Sequence, residues 1–147
     1  MPARKEFTGV ERRLHRRYER VLPVRFHVTG DTPGEWYDAT TRDISHGGVC
    51  VMLLNPPRDL AHRLKRGRGG QRMELQLPLP PLEFGPAPAL RVECEVRWAR
   101  REGWRHPRLV MGVAFANLAD TARRRIHHYI VTEFQQEYPD HEDPAQP

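Results

Sequence analysis

Two short stretches of this chain carry residue types that can do chemistry, and they stand about 25 residues apart. The first, Glu11-Arg12-Arg13-Leu14-His15-Arg16-Arg17-Tyr18-Glu19-Arg20, holds five arginines within nine residues. A guanidinium is flat, permanently charged and rich in N–H donors. Such a cluster suits phosphate oxygens, the paired acceptors of a guanine edge, and stacking on base faces. The second is Asp43-Ile44-Ser45-His46-Gly47-Gly48. It joins a carboxylate that accepts, a hydroxyl that both donates and accepts, and two glycines that allow positive φ or close approach of a ligand. Each stretch also has a plainer reading. A basic segment ahead of a folded domain is often a solvated tail or a nucleic-acid contact. Asp-x-Ser before two glycines is often a turn whose side chains satisfy nearby amides.

The alternation of the chain predicts the elements that hold these stretches. Residues 1–20 are polar and arginine-rich, with no apolar stripe, and read as a flexible arm with at most a helical turn around Glu11–Glu19. Leu22, Val24, Phe26 and Val28 then alternate with polar positions, the period of two of a half-buried strand. Further strands are expected at Trp36–Arg42, Val49–Leu54, Met73–Leu77, Leu90–Trp98 and Leu109–Phe115. In the fifth of these, Leu90, Val92, Cys94, Val96 and Trp98 share one face, so Trp98 is expected to pack inward. Residues 58–71 read as a polar, basic connection, and Pro78–Pro88, with five prolines, as an exposed loop. A closing helix is expected after an N-cap at Asp120, with Ala122, Ile126, Ile130 and Phe134 on its apolar face. The chain therefore divides into an arm (1–20), a barrel with its helix (21–137) and an acidic, proline-bearing tail (138–147) expected to be disordered. The fold class expected is all-β, a small six-stranded antiparallel barrel with a C-terminal amphipathic helix.

The bulk properties narrow the function. At 147 residues there is room for one core. The net charge of +5 favours an anionic partner, and Lys5 and Lys65 are the only lysines, so the cations are almost all arginine. No run of 18 apolar residues spans a bilayer, and the basic N-terminus lacks the apolar core of a secretory signal, so the expected compartment is the cytoplasm. Cys50 and Cys94 lie singly on strand patterns and read as buried, reduced thiols. The eight histidines show no metal-ligand spacing such as His-Glu-x-x-His. Gly67-Arg68-Gly69-Gly70 lacks the Gly-Lys-Ser/Thr of a phosphate loop, and no hydrolase signature is present. No catalytic residue, metal site or cofactor is expected.

Taken together and in this order, the two stretches resemble the PilZ family of cyclic di-GMP receptors. That family places an Arg-x-x-x-Arg arm, often with an extra arginine before it, ahead of a six-stranded barrel carrying Asp/Asn-x-Ser-x-x-Gly after the second strand. The arm matches at Arg13 and Arg17, preceded by Arg12, and the second motif at Asp43, Ser45 and Gly48. Gly112-Val113-Ala114-Phe115 resembles the family's late strand, and the likeness covers roughly residues 11–134. The resemblance implies that Arg13 and Arg17 clamp phosphate and guanine, while Asp43 and Ser45 hold a guanine edge and Gly48 admits the ligand. It implies that Arg12 stacks on a base and accompanies binding of a stacked pair of cyclic di-GMP molecules. Arg12 and Arg16 repeat the spacing of Arg13 and Arg17, so the register of the arm stays open between them. The implied protein changes conformation on binding and signals to a downstream partner that these residues do not name. Two alternatives remain. One is a basic single-stranded nucleic-acid binder using Arg63, Arg66, Arg68 and Arg72 with Trp36 or Trp104. The other is a PilZ-type interaction module without a ligand.

Overall fold

A computed structural model describes residues 16–66, 70–82 and 88–134. It contains β1 (Tyr18–Glu19), β2 (Pro23–Val28), β3 (Tyr37–Ile44), β4 (Gly48–Leu54), α1 (Arg58–Arg66), β5 (Arg72–Leu77), β6 (Leu90–Glu102), β7 (Arg108–Ala116) and α2 (Asp120–Phe134). Six of the strands form a closed antiparallel ring. Its order is β3, β2, β5, β6, β7, β4, and β4 pairs back onto β3. Each expected strand is present within two residues at its start. β6 runs on to Glu102, four residues past the expected end. Among the described residues, no helix is long and apolar enough to cross a membrane.

The period-two pattern explains the core. Val24, Phe26 and Val28 of β2 point inward and are buried, as are Met73, Leu75 and Leu77 of β5 and Leu90, Val92, Cys94 and Val96 of β6. Both thiols are free and buried, and burial pushes that of Cys94 up to about 12. α2 lays Ala122, Ile126, Ile130 and Phe134 on the core as its spacing predicts, with Tyr129 added beside them. Its start differs slightly from expectation. Asp120 is the first helical residue, and the Arg123 N–H donates to the Ala119 carbonyl at 2.9 Å, so Ala119 rather than Asp120 occupies the cap.

Two elements correct the sequence reading. Residues 58–66 form α1 instead of an irregular connection. Its three buried positions, Leu60, Ala61 and Leu64, pack into the core. The Ala61 N–H bonds to the Pro57 carbonyl at 3.1 Å, so Pro57, three residues past the end of β4, occupies the cap of the helix. Arg63 fixes α1 to the β2–β3 loop through a two-pronged pair with Asp31 at 2.8 and 3.1 Å. The second correction concerns the arm: Tyr18 and Glu19, assigned to the flexible 1–20 segment, are β1 and pair with Ile44 and Asp43 of β3. The remainder of the arm through His15 lies outside the described residues, as does the tail from Gln135 onward.

Candidate ligand-binding site

The site begins where the arm meets the barrel. β2 covers one edge of β3 from Tyr37 to Thr40, and β1 continues along that edge at Asp43 and Ile44. Buried Thr41 secures the passage between them. Its hydroxyl donates to the Arg20 carbonyl at 2.5 Å and accepts from the Leu22 N–H at 2.9 Å. The Arg20 N–H adds a bond to the Arg42 carbonyl at 3.1 Å. The Tyr18 ring stacks on Phe134 at the end of α2, centroids 4.7 Å apart, and the Arg20 guanidinium lies 4.8 Å from the same ring. This docking brings Arg17 alongside the end of β3.

The turn from β3 to β4 is built by Ser45. Its hydroxyl oxygen accepts from the Gly47 and Gly48 N–H groups, each at 3.1 Å, while the Ser45 N–H donates to the Gly48 carbonyl at 2.9 Å. The expectation that Ser45 holds a guanine edge therefore meets a hydroxyl already used by the turn. Gly48 is also explained differently from the sequence reading. Neither it nor Gly47 has positive φ. A Cβ at Gly48 would fall 2.1 Å from the Val113 carbonyl oxygen, so the missing side chain lets β4 close on β7. His46, in the middle of the turn, meets His127 of α2 with ring nitrogens 3.0 Å apart.

From the turn, one row of outward-facing residues crosses four strands. Asp43 pairs with Cys50, Cys50 with Gly112, and Gly112 with Trp98. Trp98 is in this row because of a bulge in β6 between Val96 and Trp98. One extra residue there reverses the alternation, so the indole leaves the core face on which the sequence pattern placed it. It lies over Gly112, where an added Cβ would come within 2.3 Å of its Nε1. The period of two carries no mark of the bulge, and the missing Cβ of Gly112 is the one trace in the sequence.

Two adjoining clefts open along this row. The first, of about 470 Å³, is lined by Arg17, Asp43, Ser45, Gly48, Arg97 and Trp98, among others. The second, of about 1300 Å³, shares Arg17, Asp43, Cys50 and Trp98 and extends past Arg20, Arg42, Met52 and Arg100. Four of the six residues proposed from sequence thus converge, namely Arg17, Asp43, Ser45 and Gly48. Arg12 and Arg13 lie outside the described residues. The two arm registers separate at their later arginine: Arg17 lines both clefts, whereas Arg16 lies 5.9 Å from the Tyr18 ring. Burial pushes the Cys50 thiol above its ordinary range, and the Asp43 carboxylate raises it further against the opposing pull of Arg42, Arg17 and Arg100. Among the described residues, no three His, Cys, Asp or Glu side chains cluster as metal ligands. The arrangement offers guanidinium donors, carboxylate acceptors at Asp43 and Glu19 and an aromatic floor, which suits an anion carrying a flat, hydrogen-bonding ring.

Comparison with known proteins bears on the family and the fold. The PilZ domain matches residues 11–132. No curated protein sequence matches the chain. Among solved structures, the inhibitor of motility MotI/DgrA of Bacillus subtilis aligns with a TM-score of 0.60 at 20% identity, over 86% of this chain and 53% of its own. The MrkH–c-di-GMP complex of K. pneumonia gives 0.61 at 16% identity, over 88% and 55%. The c-di-GMP-bound PilZ domain of YcgR from Escherichia coli gives 0.55 at 16% identity, over 89% and 98%. The chain thus spans about half the length of the first two and nearly all of the third. At these identities the likeness is one of fold.

Proposed function

The chain belongs to the PilZ domain family, and we propose that it is a receptor that binds cyclic di-GMP in the arm-and-wall cleft and signals that state to a protein partner, catalysing nothing. The observation that carries this reading is the convergence of Arg17 and Asp43 on one cleft floored by Trp98. Cyclic di-GMP presents two anionic phosphates and two guanines. An arginine fork matches a phosphate or the O6/N7 edge of guanine. The opposite guanine edge carries N–H donors, and the Asp43 carboxylate is the acceptor beside it. The indole of Trp98 supplies a surface for a base to stack on.

In this reading Arg17, Arg13 and Arg12 close over the ligand from the arm, and Arg12 favours a stacked pair of ligand molecules. Ser45 and Gly48 act through the backbone, holding the turn that keeps Asp43 at the cleft. The signal passes through α2, because the arm touches Phe134 and the turn touches His127.

Isothermal titration with cyclic di-GMP tests the reading. Saturable binding is expected, with two ligands per chain if the stacked pair forms. Arg17→Ala and Asp43→Ala are each expected to weaken binding by about 30-fold or more, the loss of one partner of a charge-assisted contact. Normal binding by both variants would overturn the site. Absence of binding by the unaltered protein would overturn the ligand. Binding that instead collapses steeply with salt and extends to single-stranded DNA would favour a nucleic-acid binder.

A further inference from the structure

Beyond the arm and the turn, β6 brings a further charged group to the cleft. Arg100 lies two residues past Trp98, on the same outward face, and its guanidinium stands over the indole with Cζ 4.9 Å from the ring centroid. Its Nε–H donates to Glu102 Oε2 at 2.8 Å. Glu102 also meets Arg108 at 3.4 Å and Arg42 at 3.7 Å, so one carboxylate gathers guanidiniums from β3, β6 and β7. The Arg100 side chain keeps 56% of its exposure and lines the second cleft. With the Nε edge taken by Glu102 and Cζ standing over the indole, the two terminal NH2 groups form the edge left for a ligand.

We propose that Arg100 is a direct ligand contact, its terminal NH2 groups meeting phosphate oxygens in the second cleft, and that Glu102 is its positioning residue. This rests on the reading of the cleft as a cyclic di-GMP site. It differs from the arm contacts in kind. Arg17 reaches the cleft from the short β1 side, whereas Arg100 stands on a long barrel strand and is held by a sheet residue and an aromatic ring. The hydrogen bond from Arg100 holds the Glu102 carboxyl below its ordinary range, against the opposing effect of desolvation and with help from Arg108. Loss of the Glu102 charge would leave Arg42, Arg100 and Arg108 repelling one another, with the indole alone holding the Arg100 guanidinium.

A double-mutant cycle read by calorimetry with cyclic di-GMP tests this. Arg100→Ala is expected to weaken binding about tenfold or more. Glu102→Gln is expected to weaken it several-fold in the natural background and by less than about twofold when Arg100 is already alanine. Unchanged binding by Arg100→Ala would overturn the contact. An equal cost of Glu102→Gln with and without Arg100 would overturn the positioning role, since a merely structural residue behaves that way. A ligand-free readout separates this proposal from the one on which it rests. In a Trp36→Phe/Trp104→Phe protein the emission comes from Trp98 alone. Arg100→Ala and Glu102→Gln should both make it more accessible to acrylamide. If the unaltered protein fails to bind cyclic di-GMP while the emission responds to both changes, the assigned ligand falls and the positioning stands. If the emission responds to Arg100→Ala alone, Glu102 does not position Arg100.

Discussion

Replacing Gly112 with alanine should separate binding from folding. The new Cβ would stand 2.3 Å from Nε1, 2.5 Å from Cε2 and 2.9 Å from Cζ2 of Trp98. Ordinary contact begins near 3.4 Å, so the indole must lift by about 1.1 Å. The ring is half-buried and the Arg100 guanidinium stands over it, so an exposed side chain must give way with it. The backbone needs no change, because Gly112 is an extended strand residue without positive φ. Alanine in a strand interior is worth about 0.5–1 kcal/mol over glycine, so the melting temperature should hold or rise slightly. The ligand sees the opposite. Base stacking on an aromatic side chain contributes about 1–3 kcal/mol, and a lifted, tilted indole forfeits much of it. A loss of about 1–2 kcal/mol is expected, roughly 5- to 30-fold in affinity. Calorimetry with cyclic di-GMP measures the affinity, and thermal denaturation of the same samples measures the fold. Gly48→Ala is the contrast, because its Cβ would meet backbone, the Val113 carbonyl at 2.1 Å and the Ala114 Cα at 3.1 Å. There the fold itself should lose about 1–3 kcal/mol. If Gly112→Ala binds as tightly as the natural protein, Trp98 is not the floor on which the ligand rests.

Other outcomes follow from the same structure. Ser45→Ala removes the acceptor of two turn amides and is expected to cost about 1–3 kcal/mol of stability in urea denaturation. Cyclic di-GMP should slow alkylation of Cys50, which lines both clefts, whereas Cys94, its thiol pushed up to about 12 and buried in the core, should stay unmodified with or without ligand at pH 8; labelling read by mass spectrometry decides it. Because the Glu102 carboxyl titrates below its ordinary range, its contribution is fully present above that range and fades as pH falls through the folded value. In the Trp36→Phe/Trp104→Phe protein, acid should therefore make Trp98 more accessible to acrylamide, less so when Glu102→Gln is added, and an equal acid response would refute the assignment. Asp31→Ala should loosen α1 from the β2–β3 loop, raising hydrogen exchange at Leu60–Leu64 while leaving cyclic di-GMP affinity unchanged.

Much of the barrel is legible in the sequence, for a simple reason. A strand with one face in the core must alternate, and in β2, β5 and the first half of β6 nothing interrupts the period. α2 is equally open, its buried residues falling every four positions. α1 is hidden because only Leu60, Ala61 and Leu64 are apolar in nine residues, and the surrounding arginines, aspartate and histidine give the stretch the composition of a loop. Trp98 is hidden for a different reason: a bulge is an event between strands, written in the pairing of β6 with β7, and only Gly112 hints at it in the composition of either. The candidate site divides in the same way. Asp43 and Arg17 are found by residue type and order, but the uses of Ser45 and Gly48 emerge only from their backbone partners. Arg100 and Glu102 carry no local signal, because their importance lies in which strands lie beside theirs.

The ring of strands has one further consequence, for how any partner can be met. A sheet with a free border can recruit another protein by lending it backbone hydrogen bonds, yet here all six barrel strands already have neighbours on both sides. Among the described residues, the sole strand left with an open flank is β1, two residues long and laid down by the arm itself. Among the described residues, backbone pairing is therefore open to a newcomer only beside β1, the segment nearest the proposed ligand.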